Sequence, residues 1–275
     1  MIRDITLGQY YQGDSVIHRL DPRVKLTATM VYVFELFLVR DIVTFLYMSL
    51  ILLAMILLCH VPFSFMVRGL RMVLFLMTIA GVFNLFLTPG EAIWSFGALK
   101  ITGLGIKNAL IMVFRMIYLI IGSSILTLTT TPNSLTEGME RLMRWLKLFN
   151  IPVHEIAMMM SIALRFIPIL LEETDKIMKA QQSRGANFET GNIINRAKNL
   201  VPILVPLFVS AFRRAYELSL AMEARCYNGG EGRTKMYPLK YSGRDIISYA
   251  LIIISLAAII LLKVISLENI IKNSL

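Results

Sequence analysis

Long hydrophobic runs dominate this sequence and set the class of fold it can adopt. Crossing a bilayer takes roughly 17 to 25 mostly apolar residues in a helix, and each backbone polar group must be satisfied within that helix. Five runs of this kind occur, at about 24–39, 42–59, 70–88, 106–129 and 246–265. They predict an all-α integral membrane protein with about five transmembrane helices. Only Arg40-Asp41 separates the first two runs, so these are expected to form a helical hairpin.

Composition supports the same class. Hydrophobic residues make up 56% of the 275 residues and charged residues only 17%, which is far too apolar for an average soluble domain. The formal net charge is +10. In a soluble protein that excess would suggest nucleic acid as a partner, but cytoplasmic loops of membrane proteins carry the same excess. Membrane lipid is therefore the expected partner, and nucleic acid is not.

The distribution of Lys and Arg predicts the orientation. With a cytoplasmic N-terminus, twenty-two of these residues fall inside and five outside, while Arg115 lies within a span. Residues 1–23 then form a cytoplasmic N-terminal segment, and 24–129 contain transmembrane helices 1 to 4. The remaining predicted parts are a cytoplasmic helical domain at 130–245, transmembrane helix 5 at 246–265 and an extracellular tail at 266–275.

The inserted domain at 130–245 is charged but still patterned as three helices. The first is expected to start at Thr131-Pro132-Asn133, with Asn133 or Ser134 as its cap, and to run to about Leu148. Apolar stretches at 156–171 and 200–212 leave an alternative open, in which they form a membrane hairpin. That alternative places Arg165 near the middle of the bilayer, at a cost of about 2.5 to 3.5 kcal/mol. We favour helices that start at the inner membrane surface and project into the cytoplasm.

The second and third helices of this domain end in the same pattern. Ser183-Arg184-Gly185 and Ala224-Arg225-Cys226 each place an arginine between small residues, and chain breakers follow both. A cation at a helix C-terminus is favourable by itself, which is the simpler explanation of each arginine taken alone. Small neighbours on both sides also allow a helix tip to enter a groove, where a guanidinium can pair with a carboxylate in two-point contact.

A hydrophobic stripe lies on the last of these helices. At 100° per residue, Phe208, Phe212, Leu218 and Met222 fall within one arc, together with Ala211 and Ala215. Arg213, Arg214 and Glu217 are expected on the opposite side. The stripe predicts a contact face, much of which is expected to pack on the preceding helix.

These motifs resemble those of the transmembrane, or T, component of energy-coupling factor transporters, the EcfT/CbiQ family of ABC importers. The resemblance covers essentially the whole chain. Besides the paired arginine motifs, it rests on these segments: Gly8-Gln9-Tyr10, Gly13-Asp14-Ser15, His18-Arg19-Leu20-Asp21-Pro22-Arg23-Val24-Lys25-Leu26 and Leu164-Arg165-Phe166-Ile167-Pro168. Cys226 stands where the family more often has glycine.

The resemblance implies a coupling function and a set of partners. Two motif-tipped helices would dock on two cytoplasmic ATP-binding subunits, with Arg184 and Arg225 as the family's arginines. The chain would transmit their ATP-driven motion to a substrate-binding membrane S component for vitamin or micronutrient uptake. ATP and Mg would bind to the partner ATPases, and no cofactor or metal to this chain. The expected location is the plasma membrane of a bacterium or archaeon.

Three polar residues are set into the predicted spans: Glu35, Asn84 and Arg115. Intramembrane ionisable groups usually face protein and find partners. We therefore predict that Arg115 pairs with Glu35. The alternative is that Glu35 snorkels to the nearby interface.

Other function classes have weaker support. The spans contain no acid-base or metal motif such as HExxH or DxxxD, which argues against a membrane-embedded enzyme, and no P-loop occurs. Neither catalytic nor metal-ligating residues are assigned. A self-contained transporter or channel with its own substrate site is the main alternative, but it would require discontinuous helices or a line of polar groups through the spans.

Overall fold

The computed structural model describes residues 10–39, 41–89, 92–96, 99–186, 193–230, 236 and 238–274. Over these ranges the chain is almost entirely helical, which confirms the all-α fold class. The α-helices are α1 (Pro22–Leu38), α2 (Ile42–Cys59), α3 (Phe63–Leu87), α4 (Gly103–Thr129), α5 (Pro132–Leu142), α6 (Val153–Ser183), α7 (Ile193–Ala224) and α8 (Gly243–Ser274). A 3₁₀ helix, Met143–Phe149, directly follows α5.

The chain forms two compact units. The larger contains Gly8–Gly138 and Leu239–Leu275, and the other contains Met139–Pro238. The larger unit therefore includes α1 to α4, the start of α5 and α8. The other unit includes the end of α5, the 3₁₀ helix, α6 and α7. Assignment of residues 130–245 to a cytoplasmic domain stays a prediction.

In the larger unit, the core lies between α1, α2, α4 and α8. Its fully buried members include Leu36 on α1, Met48 on α2 and Ile259 on α8. The outer faces of the same helices carry large exposed apolar side chains, such as Leu46 and Leu50 on α2. A helix that is apolar on all sides, with only one face packed on protein, must have lipid on the others.

The first two helices were expected to pack on each other as a hairpin, but their main contacts are with other helices. Helix α1 has its main contacts with α4 and α8, and α2 likewise packs mainly against α4 and α8. The predicted hairpin is therefore not what holds either helix in place. The backbone is extended at Val39, directly after α1.

A short β-hairpin between α3 and α4 was not predicted. Strand β1 (Ala92–Phe96) pairs antiparallel with β2 (Leu99–Thr102), with Ala92 opposite Thr102. Thr102 ends the hairpin and starts α4, because its hydroxyl accepts a hydrogen bond from the amide of Gly105 at 3.0 Å and donates one to the carbonyl of Thr88 at 3.2 Å. The hairpin thus leads the chain from α3 into α4, and these two helices form the most extensive contact of the unit.

Four described helices are long and apolar enough to cross a bilayer: Ile42–Cys59, Gly103–Thr129, Val153–Ser183 and Gly243–Val264. Val73–Leu87, within α3, is a shorter apolar helix. The first predicted span corresponds to α1, which has 17 residues and carries Arg23, Lys25 and Glu35. Helix α6 meets the length and composition criteria, although the sequence favoured a helix that projects from the membrane surface. That preference stays a prediction.

The start of α5 differs in detail from the sequence-based expectation. Pro132 is its first residue, and Thr131 rather than Asn133 or Ser134 provides the cap, because the Thr131 hydroxyl accepts from the amide of Ser134 at 3.3 Å. Proline suits the first helical position, where no amide is needed. The cap therefore lies two residues before Asn133 and three before Ser134. The α-helix ends at Leu142, and the chain then tightens to 3₁₀ geometry up to Phe149.

Candidate functional site at two helix ends

The end of α6 is built by a backbone cap. Arg184 is the C-cap residue, and Gly185 follows with φ +86°. The amide of Gly185 donates to the carbonyl of Gln182 at 2.9 Å, and the amide of Ala186 donates to that of Gln181 at 3.0 Å. This pair of bonds is the Schellman motif, which requires a left-handed residue after the cap.

The end of α7 repeats this cap bond for bond. The amide of Cys226 donates to the carbonyl of Glu223 at 2.9 Å, and the amide of Tyr227 donates to that of Met222 at 3.0 Å. Cys226 has φ +55° and takes the left-handed position that Gly185 holds in α6. The two predicted motifs are therefore alike in backbone conformation as well as in sequence.

The caps leave both arginine side chains free for other contacts. Backbone amides pair two of the last carbonyls at each helix end, so each cap forms without its guanidinium. Arg184 and Arg225 are exposed, as are Ser183, Gly185, Ala224 and Cys226. Among the described residues, neither arginine forms a salt bridge.

Helices α6 and α7 run antiparallel, which separates the two tips. Near one end, the side-chain amide of Gln181 donates to the carbonyl of Pro202 at 3.4 Å. Farther along, Arg214 Nη2 donates to Glu173 Oε2 at 3.1 Å. At the other end, Arg225 lines the same groove as Ile162 near the start of α6. With a rise of 1.5 Å per residue along α6, the two arginines lie about 35 Å apart.

Two grooves flank the contact between these helices. One, of about 540 Å³, brings Arg165 and Arg225 to the same opening, with Cys226 and Tyr227 on its wall. Arg165 belongs to the Leu164–Pro168 motif of the sequence, so the structure brings that motif to the second arginine tip. The other groove, of about 490 Å³, is lined mainly by apolar residues of both helices.

The predicted stripe on α7 divides between two environments. Leu218 and Met222 are half-buried and line the grooves against α6. Phe208 and Phe212 are instead 60% and 73% exposed. Arg214, which was expected to lie opposite the stripe, faces α6 and pairs with Glu173, so that part of the prediction was wrong. Arg214 and Leu218 are four residues apart, so their directions around the helix axis differ by only roughly 40°. Both can therefore face the same neighbour.

The predicted ion pair between Glu35 and Arg115 was wrong. Glu35 is 2% exposed and accepts a hydrogen bond from the Ser255 hydroxyl of α8 at 2.7 Å. Arg115 Nη2 donates to the carbonyl of Val39 at 2.6 Å, at the C-terminal end of α1. A helix C-terminus has unpaired carbonyls and partial negative charge, so it attracts the cation without a carboxylate.

Asn84, the third intramembrane polar residue, is satisfied locally. Its side-chain amide donates to the carbonyl of Ala80 at 3.1 Å, one turn earlier in α3. It also lies 2.7 Å from Met112 Sδ on α4. Its described contacts therefore join α3 to α4.

The N-terminal motif segments build the start of α1. The His18 ring contacts the Ser15 hydroxyl at 2.7 Å and the carbonyl of Tyr11 at 3.1 Å. Lys25 Nζ is buried and donates to the carbonyls of His18 at 3.0 Å and Thr129 at 2.9 Å. Lys25 thereby ties the beginning of α1 to the last turn of α4. Nearby, the hydrogen bond from Arg19 holds the pKa of the Asp14 carboxyl below its usual value.

A second polar cluster joins the starts of α1 and α8, and the sequence reading missed it. Asp245 accepts hydrogen bonds from the amide of Asp21 at 2.9 Å and from the amide and hydroxyl of Ser242 at 2.7 and 3.0 Å. The Arg23 guanidinium donates a hydrogen bond to the Asp21 carboxylate. It also stacks over the ring of Tyr241, with Cζ 3.7 Å from the ring centroid. Burial raises the pKa of the Tyr241 hydroxyl. The Ser-x-x-Asp spacing of Ser242 and Asp245 is a capping-box signal that could have revealed the cluster.

Comparison with known proteins places these features in a family. A family model described as cobalt transport protein, CbiQ, matches residues 13–236. The energy-coupling factor transporter transmembrane protein EcfT of Ruminiclostridium cellulolyticum is 48% identical over 263 residues, covering 96% of this chain and 98% of the relative. EcfT of Clostridium kluyveri is 49% identical over 272 residues, 98% of each chain. EcfT of Bacillus subtilis is 46% identical over 246 residues, 89% of this chain and 93% of the relative.

Both kinds of match extend over most of the chain, and the region matched by the family model includes α1 to α4 and both arginine-tipped ends. The helical architecture, with several helices able to cross a bilayer, agrees with the names of these relatives. The chain therefore belongs to the EcfT/CbiQ family of multi-pass membrane proteins, the transmembrane components of energy-coupling factor transporters.

Proposed function

We propose that this chain couples two cytoplasmic ATP-binding subunits to a substrate-binding membrane S component for vitamin or micronutrient uptake. The observation that carries the proposal is the pair of matched caps at opposite ends of α6 and α7. Each cap presents one exposed arginine, and about 35 Å separates them. Such spacing suits one contact on each of two separate subunits.

The chemistry of each tip fits a carboxylate-lined groove. The Schellman cap satisfies the helix end without the arginine side chain, so the guanidinium can make a two-point contact with a carboxylate of the partner. Ser183 and Ala224 precede the two arginines and add little bulk. The helix end can therefore approach a partner surface closely.

The exposed half of the α7 stripe is the proposed contact with the S component. Phe208 and Phe212 lie on an outward face that also includes Val205 and Val209. Leu218 and Met222, farther along the same helix, line a groove against α6. Displacement of an arginine tip would move the whole helix, and with it the apolar face that touches the carrier.

In this mechanism the energy comes from the partners. ATP and Mg bind to the two cytoplasmic subunits, whose approach moves one tip relative to the other. The chain lies in a bacterial or archaeal plasma membrane with its N-terminus in the cytoplasm, as the distribution of Lys and Arg indicates. The tips then face the compartment that contains ATP.

Removal of the charge at each helix tip tests the proposal. Loss of one partner of a buried charge-assisted pair costs about 2 to 5 kcal/mol, so Arg184→Ala and Arg225→Ala should each weaken assembly with the ATP-binding subunits. The double variant should lose ATP-dependent uptake. Lys replacements should restore it only in part, because lysine cannot form the two-point contact.

Arg213→Ala is the matched control. Arg213 is an exposed arginine of α7 away from both tips, and its loss should leave assembly and uptake unchanged. A double variant at Arg184 and Arg225 that assembles and transports normally would overturn the coupling function. So would substrate uptake by the purified chain alone, which would support a self-contained transporter instead.

A further inference from the structure

The 3₁₀ helix between α5 and α6 arranges its side chains in three ridges. With 3.0 residues per turn, side chains three positions apart are aligned. Met143, Leu146 and Phe149 form one ridge, Arg144 and Lys147 form a second, and Trp145 and Leu148 form the third. An α-helix would not align these residues in this way, so the tightening after Leu142 separates a basic ridge from two apolar ridges.

The ridges differ in burial. The segment packs against α6, and Met143 and Leu146 are half-buried. Trp145, Leu148 and Phe149 are instead 61%, 86% and 67% exposed. The Trp145 and Phe149 rings meet edge to face, with centroids 6.1 Å apart. The result is an outward apolar surface beside the two cations Arg144 and Lys147, both exposed.

This composition matches a membrane interface. Tryptophan is enriched at the boundary between headgroups and acyl chains, where an amphipathic ring is well solvated. Basic side chains beside an apolar face are typical of segments that lie in the plane of a membrane and are attracted to anionic headgroups. No acidic residue occurs within 143–149, so the segment carries two uncompensated positive charges.

In the sequence, the segment follows closely after a helix that can cross a membrane. Helix α4, which is long and apolar enough to cross a membrane, ends at Thr129, and Trp145 follows 16 residues later.

We infer that the 3₁₀ segment Met143–Phe149 is a membrane-surface anchor, with Trp145, Leu148 and Phe149 inserted among the headgroups of a bilayer that contains anionic lipid. Arg144 and Lys147 bind the phosphate groups of those lipids. The anchor attaches the chain to the membrane surface immediately before α6 begins. It is formed by the chain itself and needs neither ATP-binding subunits nor a carrier.

Tryptophan fluorescence can test the anchor directly, because the chain has only two tryptophans, Trp94 and Trp145. Trp94→Phe leaves Trp145 as the sole reporter in the full chain. After reconstitution of the chain alone into vesicles of phosphatidylcholine and phosphatidylglycerol, lipid brominated near the headgroup should reduce Trp145 emission about two-fold. Lipid brominated near the chain ends should quench it less. If Trp94→Phe fails to fold, the difference between wild type and Trp145→Phe isolates the same signal.

Two double variants separate the role of charge. Arg144→Gln with Lys147→Gln should reduce the quenching that phosphatidylglycerol promotes. Lys176→Gln with Lys179→Gln removes the same charge from exposed positions of α6 and should not. Emission typical of a water-exposed indole, without quenching by either lipid, would overturn the proposal. The proposal also fails if Trp145 becomes shielded only when the ATP-binding subunits or the carrier are added, because the surface would then be a protein contact.

Discussion

Cys226 adopts the left-handed conformation that Gly185 adopts 41 residues earlier, in a cap with the same hydrogen bonds. The φ angles are +55° and +86°. A side chain in this region clashes with the following carbonyl, whereas glycine does not. The second tip therefore has a strained backbone at the residue directly after its arginine.

Replacement of Cys226 by glycine should relieve that strain. We expect Cys226→Gly to raise the free energy of unfolding by about 0.5 to 1 kcal/mol and the midpoint of thermal denaturation in detergent by about 1 to 3 °C. Cys226→Ala removes the thiol but keeps the strain, and should give no increase. Equal shifts for the two variants would show that the thiol, and not φ, is responsible.

Close packing of α1 on α4 depends on Gly122. A Cβ at this position would lie 2.2 Å from Tyr32 Cε1, and the Tyr32 hydroxyl is held by a bond to the carbonyl of Tyr118 at 3.2 Å. Gly122→Ala should cost about 1 to 3 kcal/mol, because a well-packed core must shift to admit the methyl group. Thermal denaturation of the purified chain measures the loss.

Gly69→Ala is the control for that substitution. Its Cβ would lie 3.6 Å from the nearest heavy atom, Ile120 Cγ2, which is ordinary contact. Since alanine also favours the helix more than glycine does, we expect a neutral or stabilising effect. An equal loss at Gly69 and Gly122 would contradict the packing argument.

Asp245 should be essential to the junction between α1 and α8. The residue is 2% exposed and accepts three hydrogen bonds, which originate from Asp21 and Ser242. Asp245→Ala would leave the buried amide of Asp21 and the part-buried amide of Ser242 without this acceptor, at a cost of about 2 to 3 kcal/mol. The measurement is denaturation of the reconstituted chain. Ser248→Ala, one turn later, removes only a bond back to the carbonyl of Arg244 and should change stability little.

A double-mutant cycle can distinguish the partners of Glu35. The hydrogen bond between Glu35 and Ser255 should give a coupling energy of about 0.6 kcal/mol, up to roughly 1.7 kcal/mol, when Glu35→Leu is combined with Ser255→Ala. Glu35→Leu combined with Arg115→Met should be additive within about 0.5 kcal/mol. A strong coupling in the second cycle and none in the first would restore the predicted ion pair.

The lengths of the hydrophobic runs and the positions of the two arginine motifs were enough to predict several helices and two helix ends. The runs at 42–59 and 106–129 correspond closely to α2 and α4, because uninterrupted apolar stretches of that length have few other stable forms. The two arginine motifs were located correctly at helix ends, since glycine and asparagine after each arginine stop a helix.

Partner choice inside the bundle could not be predicted in the same way. The pattern placed Glu35 and Arg115 in the membrane, but hydrogen-bond partners depend on helix rotation, which a run of apolar residues leaves undetermined. Ser255 gave no signal because serine is common in transmembrane helices. The β-hairpin was also missed, since each of its strands is only five residues or fewer and such short runs carry little periodicity.

The antiparallel helices α6 and α7 end in caps with the same backbone hydrogen bonds. Because of this arrangement, a two-fold rotation about an axis between them would bring one capped end to the position of the other. Under the proposed function, two nucleotide-binding subunits related by a two-fold rotation, as in most protein dimers, would each meet the same backbone shape. If the two subunits differ, the backbone offers no means of telling them apart. The choice would then rest on the side chains beside each arginine, Ser183 and Gly185 at one end and Ala224 and Cys226 at the other.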